Sequence, residues 1–395
     1  MKLFSQSRSA RWAVPAGAVV VVGAVIAGSM ISVAEAAPSL PSRTPAQLLA
    51  DVTARTSSPP LTGTVVETSS LGLPTLPGAD NPTSVSALLA GSHTIRIWYA
   101  DPSHFRVAAP QSMSESDLIR NGSNAWLWES TKNSVTHVAI PDQVATGHRP
   151  APKPAATPLT PQQAADEILA EVGPTTTVSS DTNVTVAGQA AYQLVLTPKS
   201  SQSLVGQIRI AVDGANDVPL RLQVIVRGAN TPAVQIGFTS VSFVKPAAAN
   251  FAFTPPAGAT VKQQSLSGGT PRAGAPTASS AYVVGTGWLA VADLPGSVLS
   301  SAMPGNATGA AGSGLSGDTG PIINALFRSA TRVSGSWGSG RLLKTSLVSV
   351  LITDSGRVLI GAVTPQVLYQ AAAQPAPAHP SAPSAAHPAQ PKTTK

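Results

Sequence analysis

Three short runs between residues 184 and 226 alternate apolar side chains with other residues. The apolar members are Tyr192, Leu194 and Leu196, then Ile208, Ile210 and Val212, then Leu222, Val224 and Val226. A period of two over β-branched-rich runs predicts strands with one apolar face. Asp213, Gly214 and Asn216 lie between the second and third runs and tolerate positive φ, which indicates a turn. We therefore expect an antiparallel meander whose apolar face is covered by another part of the chain.

The other face of the predicted meander is mostly polar. It carries Gln193, Arg209, Arg221 and Gln223, with Val195 and Ile225 as apolar exceptions.

The flanking sequence predicts further strands and two helices. Thr44 and Pro45 suit the N-cap and the first position of a short helix. Strand patterns follow at 61–67, in a hairpin at 94–110, in three pieces across 117–140, and at 233–244, and residues 251–256 close the module. A second helix is predicted over 160–172, after a Pro-rich loop.

Both ends of the chain have non-globular patterns. Lys2, Arg8 and Arg11 precede an uncharged apolar segment at 13–33 and an A-x-A pattern at 34–36. This order is typical of an export signal, and the segment is also long enough to remain as an N-terminal membrane anchor. Either alternative places the rest of the chain outside the cytoplasmic membrane. Residues 374–395 form a Pro/Ala-rich tail that is predicted to be disordered.

The residues between the meander module and the tail predict a smaller unit. A Gly/Ser/Ala/Thr/Pro-rich linker is expected at 263–280. The segment 281–373 then predicts a strand over 282–291, a helix over 322–333 and a hairpin around Asp354-Ser355-Gly356, giving a β-α-β-β unit. This unit is either a small second domain or an addition of strands to the main sheet. Trp288 and Trp337 are candidates for the interface of this unit, and the glycine-rich segment 335–341 is interpreted as a bend before the hairpin.

Three stretches carry a resemblance to a known superfamily. They are IRIWYADPSHFRV at 95–107, LIRNGSNAWLW at 118–128, and GQAAYQLVLTPKSSQSLVGQIRIAVDGANDVPLRLQV at 188–224. Together with the flanking helix and strands, residues 45–261 resemble the LolA-like superfamily of extracytoplasmic lipoprotein carriers, including the RseB-type regulators of envelope stress. The resemblance implies an α+β fold for residues 44–262: a curled antiparallel sheet, or open half-barrel, with helices covering its concave face and enclosing a cavity for acyl chains.

The candidate ligand-binding residues combine the apolar face of the meander with two predicted helices and two tryptophans. They are Leu49, Trp126, Trp128, Ile168, Leu169, Tyr192, Leu194, Leu196, Ile208, Ile210, Leu222, Val224, Val226 and Phe238. Trp126 and Trp128 share a strand face and are explained either by packing in the sheet core or by a position along the cavity.

Composition argues against several other functions. The chain of 395 residues has 11% charged residues, a net charge of +7 and no cysteine. Its basic residues are scattered without an aromatic-basic cluster, so we expect no nucleic acid partner. The sequence contains no zincin pattern, no G-x-S-x-G elbow and no phosphate loop, so we expect neither a catalytic site nor a bound metal or cofactor.

Two functions remain open from the sequence. One is an exported, non-enzymatic protein that binds or carries lipid or lipoprotein acyl chains. The other, which the additional C-terminal unit favours, is an RseB-like extracytoplasmic regulator that binds an anti-sigma factor or another membrane partner.

Overall fold

The computed structural model describes residues 38–55, 57–72, 90–111, 114–140, 172–265, 282–296, 326 and 328–375. No helix within these ranges is long and apolar enough to cross a membrane. The predicted export segment, most of the second helix and the tail after residue 375 lie outside the described residues.

A helix opens the described chain. Helix α1 spans Pro45–Ala54 and begins at Thr44, whose hydroxyl accepts a hydrogen bond from the Gln47 backbone N–H while the Gln47 side chain accepts one from the Thr44 backbone. This capping box satisfies two of the backbone donors that a helix start leaves unpaired. The predicted helix start is therefore confirmed.

Within the described residues, twelve strands form the first sheet, which we call the N-terminal sheet. Its strands are β1 Leu61–Ser70, β2 Ala90–Asp101, β3 His104–Pro110, β4 Glu115–Asn121, β5 Asn124–Glu129, β6 Ser134–Ala139, β7 Thr176–Val186, β8 Gln189–Pro198, β9 Val205–Asp213, β10 Pro219–Val226, β11 Pro232–Ser242 and β12 Thr260–Ser265. Neighbouring strands follow the order β12-β6-β5-β4-β3-β2-β1-β11-β10-β9-β8-β7. All pairs are antiparallel except β12 with β6, which is parallel.

The N-terminal sheet is curled but not closed. Strands β12 and β7 remain as its edges. Strand β11 contacts β7 although β10, β9 and β8 lie between them, which requires strong curvature at this end. Register shifts in β1/β11, β7/β8 and β9/β10 accompany this curvature, since bulges bend and twist a strand. An open, curled sheet agrees with the predicted half-barrel.

A second sheet, the C-terminal sheet, contains six strands in the part of the chain that the structure describes. They are β13 Tyr282–Val284, β14 Val291–Pro295, β15 Thr331–Gly335, β16 Gly338–Lys344, β17 Ser349–Thr353 and β18 Arg357–Gly361, paired in the order β13-β14-β18-β17-β16-β15. Helix α2, Pro365–Ala373, packs against β16, β17 and β18.

This arrangement corrects the predicted β-α-β-β unit. The expected strand over 282–291 is interrupted where Gly285 and Gly287 adopt φ of +83° and +56°, and a 3-10 turn at Gly287–Leu289 separates β13 from β14. The expected helix over 322–333 cannot extend to its predicted end, because Thr331–Gly335 pairs with β16 as a strand. The segment expected to be a bend at 335–341 is the β15–β16 hairpin turn and the first part of β16.

Candidate functional site

The apolar side chains of the central meander lie together on one side of the N-terminal sheet, as predicted. Cross-strand pairing joins Leu194 to Ile210, Ile210 to Leu222 and Leu222 to Ile236. The structure brings nine of the candidate residues into two adjoining clusters: Leu49, Tyr192, Leu194, Leu196, Ile208, Ile210, Leu222, Val224 and Val226. We call the side of the sheet that carries them the apolar face.

Helix α1 covers one end of the apolar face. Leu48 and Leu49 are buried and pack with Tyr192 and Leu194. The Tyr192 hydroxyl holds the chain segment that precedes α1, because it donates a hydrogen bond of 2.7 Å to the carbonyl of Pro41. The guanidinium of Arg43 lies 5.2 Å from the centre of the Tyr192 ring. This part of the apolar face is therefore a packed core.

The C-terminal sheet covers an adjoining part of the same face. Leu347 is 3% exposed and belongs to the cluster that contains Ile208 and Val224. Trp288 packs there too, and its indole N–H donates a hydrogen bond of 2.7 Å to the Thr176 hydroxyl. Trp288 thus lies at the interface, whereas Trp337 stacks on Tyr369 within the C-terminal part.

Backbone hydrogen bonds also join the two sheets. The loop between β8 and β9 pairs with the chain after β18: Leu204 N–H donates to the Ala362 carbonyl at 2.9 Å, and Thr364 N–H donates to the Gln202 carbonyl at 2.8 Å. Arg227 holds this loop, donating from its guanidinium to the carbonyls of Ser203 and Ser200. Sequence patterns could not predict this contact, because it joins a loop to a chain segment more than 150 positions later.

The apolar face continues beyond both covers. Through β11 and β1 it reaches strands β2 to β5, where Ile97, Val107, Leu118 and Leu127 form one cross-strand row. Leu118 and Leu127 are 41% and 43% exposed, in contrast to the buried leucines of the meander. These four residues, which we call the exposed row, were not among the predicted site residues, although Ile97 and Val107 show the alternation that could have identified them.

Trp126 and Trp128 lie on the opposite side of the sheet. Cross-strand pairing connects the face of Trp126 to Arg221 through Ile119, Arg106, Trp98, Thr62, Val66 and Gly237. Arg221 points away from Leu222, because neighbouring residues on a strand alternate between faces. Trp126 stacks on His137, with ring centres 3.8 Å apart. The structure therefore does not bring the two tryptophans together with the nine clustered residues.

The remaining candidate residues have different outcomes. Phe238 packs against a separate cluster that includes Ala191 and Ala211, and its ring occupies the space beside Gly63. Ile168 and Leu169 lie outside the described residues.

A polar pair interrupts the apolar face. Glu67 and His93 are opposite each other on β1 and β2 and are both buried. Burial lowers the pKa of His93 to about 3, so its ring is neutral near pH 7. Within the described ranges, no group of three or more His, Asp or Glu side chains is placed to hold a metal ion.

Comparisons with known proteins give structural neighbours only, since no family profile matches the chain and no curated protein matches its sequence. MucB in its complex with MucA from Pseudomonas aeruginosa is 13% identical with a TM-score of 0.38, and the match covers 83% of this chain and 94% of that chain. A LolA superfamily protein from Nitrosomonas europaea is 11% identical with a TM-score of 0.20, covering 54% of this chain and 99% of that chain. The first of these neighbours is named MucB and the second is named as a protein of the LolA superfamily.

Proposed function

We propose that this chain is an exported, non-enzymatic protein that binds acyl chains of lipids or lipoproteins on the apolar face of its N-terminal sheet. The exposed row carries the proposal. It lies on the same face as the two clusters that pack under α1 and the C-terminal sheet, yet it leaves Leu118 and Leu127 41% and 43% exposed.

The dimensions and energetics of the exposed row suit such a ligand. Four adjacent strands at about 4.8 Å spacing give a row about 14 Å long. Burying an acyl chain contributes about 0.8 kcal/mol per methylene, so several methylenes against this row give useful affinity without a charged anchor. Because apolar contact is non-directional, we expect low selectivity among acyl chains.

A double variant, Leu118→Asn with Leu127→Asn, tests the proposal. Both side chains are substantially exposed, so the fold should tolerate the change to within about 1 kcal/mol. Val244→Asn is the matched control, since Val244 is 72% exposed and lies outside the exposed row. Thermal unfolding monitored by circular dichroism checks that both variants are folded.

Native mass spectrometry of protein purified without detergent, before and after incubation with lipid, gives the readout. We expect bound lipid on the unaltered chain and the control, and at least about tenfold less on the double variant, because two polar side chains then interrupt the apolar surface. An unaltered chain that stays free of lipid after incubation would overturn the proposal, as would undiminished binding by the double variant.

A second candidate function is an RseB-like regulator that binds an anti-sigma factor or another membrane partner. The observation that favours it is the packing of Leu347 and Trp288 onto the apolar face, which links that face directly to the C-terminal sheet. MucB, a structural neighbour, is described in a complex with MucA. A pull-down from a membrane extract distinguishes the two: recovery of an anti-sigma factor supports the regulator, and recovery of lipoproteins alone supports the carrier.

A further inference from the structure

The side of the N-terminal sheet opposite the apolar face carries two parallel rows of polar side chains on β8 to β11. In the first row, Gln193 pairs with Ala211, and Ala211 pairs with Arg221. In the second row, Arg209 pairs with Gln223, and Gln223 pairs with Gln235. We call these the polar rows. They place two arginines, Arg209 and Arg221, on neighbouring strands and on the same side of the sheet.

Small residues make room for Arg221 to lie along its row. Its guanidinium donates a hydrogen bond of 3.3 Å to the Gln193 side-chain oxygen two strands away, passing across Ala211. On its other side is Gly237, where an added Cβ would lie 3.0 Å from Arg221 Cγ. A larger residue at either position would obstruct the stem of the arginine. The sequence thus leaves space for one extended arginine in this row.

Amide oxygens, rather than carboxylates, hold both arginines. Arg209 donates through Nε and Nη2 to the Gln207 side-chain oxygen at 3.3 and 3.2 Å. The Gln223 amide donates to the Gln235 side-chain oxygen at 2.6 Å. A neutral amide orients a guanidinium but does not neutralise it. Among the described residues, most of the five N–H donors of each arginine form no hydrogen bond, so these donors remain for another acceptor.

The carboxylate at the end of the first polar row does not neutralise the pair. Asp181 lies opposite Gln193 at the edge strand, is exposed, and accepts a hydrogen bond of 2.8 Å from the Thr182 backbone. Among the described residues it forms no ion pair with either arginine. Burial, and next the charge of Arg209, lower the pKa of Arg221. The positive charges of Arg209 and Arg221 repel each other. Gln193, which binds Arg221, is only 7% exposed, so this repulsion acts where water is partly excluded and charges interact strongly.

We propose that Arg209 and Arg221 form a binding site for an anion of the phosphate or carboxylate type, oriented by the glutamines of the polar rows. An anion would relieve the repulsion between the two like charges. It would accept charge-assisted hydrogen bonds from two planar guanidinium groups, a geometry suited to oxyanions. The ligand is either a free anion or the head group of an anionic lipid, and the two sources share this chemistry.

Isothermal titration calorimetry at fixed ionic strength tests the site with inorganic phosphate, dihexanoyl phosphatidic acid and dihexanoyl phosphatidylcholine as probes. The variants are Arg209→Gln and Arg221→Gln, each of which removes one charge while retaining an amide. Arg96→Gln is the control, because Arg96 is an exposed arginine on the same side of the sheet but on β2, and it forms no ion pair among the described residues.

We expect the unaltered chain to bind phosphate, each arginine variant to bind at least about tenfold more weakly, and the control to bind within about twofold. If phosphatidic acid binds no tighter than inorganic phosphate, the site takes a free anion. If phosphatidic acid binds much tighter than inorganic phosphate while phosphatidylcholine binds weakly, the site takes an anionic head group. Failure of the unaltered chain to bind phosphate or phosphatidic acid would overturn the site, as would equal binding by the arginine variants. Since inorganic phosphate has no acyl chain, this result is independent of the acyl-chain proposal.

Discussion

Arg357 joins two strands of the C-terminal sheet to helix α2. Its Nη2 donates to Asp293 at 2.6 Å, which links β18 to β14, and Asp293 is completely buried. Its Nη1 donates to the carbonyls of Ala372 and Gln374 at 2.9 and 3.0 Å, at the end of α2. A cation at a helix C-terminus satisfies carbonyls that have no partner inside the helix. One side chain therefore connects two strands and the last helix.

Replacing Arg357 with Met should lower the free energy of unfolding by about 3–5 kcal/mol, because Asp293 would remain as an uncompensated buried charge. The exposed pair of Arg332 and Asp354 provides a control, and Arg332→Met should cost less than about 1 kcal/mol. Urea denaturation measures both. A double variant, Arg357→Met with Asp293→Leu, should be more stable than the single variant; if it is equally unstable, the packing of Arg357 rather than the stranded charge explains the loss.

Helices α1 and α2 show that the same Thr-Pro signal can precede a helix with or without a side-chain capping hydrogen bond. Thr44-Pro45 and Thr364-Pro365 both start helices, but only Thr44 caps with its side chain, whereas no such hydrogen bond forms at Thr364. Thr44→Ala should therefore cost about 1 kcal/mol, and Thr364→Ala clearly less, measured by chemical denaturation. Equal costs would mean that the capping hydrogen bond at Thr44 contributes nothing measurable.

Local patterns predicted most of the strands and the antiparallel pairing of several consecutive ones, but not the pairing of strands far apart in the chain, such as β1 with β11. The alternation of Tyr192, Leu194 and Ile208 is set by burial of one strand face, so the meander could be predicted from the sequence. Helix α2 has the same Thr-Pro start as α1 and could have been predicted too. The side of the sheet on which Trp126 lies could not be predicted, because it depends on the register of successive strand pairs. A shift of one residue in that register moves the side chain to the other side of the sheet.

Strands of weak pattern were also missed. Strand β7, Thr176–Val186, has few apolar residues and includes a bulge near Asp181, so periodicity does not mark it. Strand β12, Thr260–Ser265, extends into the predicted linker and is held at the sheet edge by parallel pairing with β6. Both are edge strands, where exposure on one side removes the apolar signal on which sequence prediction depends.

At the scale of the whole molecule, the apolar face has three parts with different surroundings. Helix α1 packs on one part, Leu347 and Trp288 pack on a second, and the exposed row is a third. The proposed acyl-chain surface therefore lies on the same side of the sheet as the contact between the two sheets, and Glu67 and His93 lie between them. Any ligand that extends along the face toward Ile208 must meet the side chains that hold the C-terminal sheet in place.

Leu347→Ala should loosen the contact between the sheets, since it removes a buried side chain from the cluster with Ile208 and Val224, at a cost of about 2–5 kcal/mol. Leu351→Ala is the matched control, because Leu351 is also fully buried but packs only within the C-terminal cluster. Hydrogen exchange followed by mass spectrometry reports the difference. The amides of Leu204 and Thr364, which bridge the sheets, should exchange faster in Leu347→Ala at conditions where global unfolding is rare, and should keep their protection in Leu351→Ala. Equal protection of these two amides in both variants would show that the backbone pairing at Ser203 and Val363 holds the sheets together without Leu347.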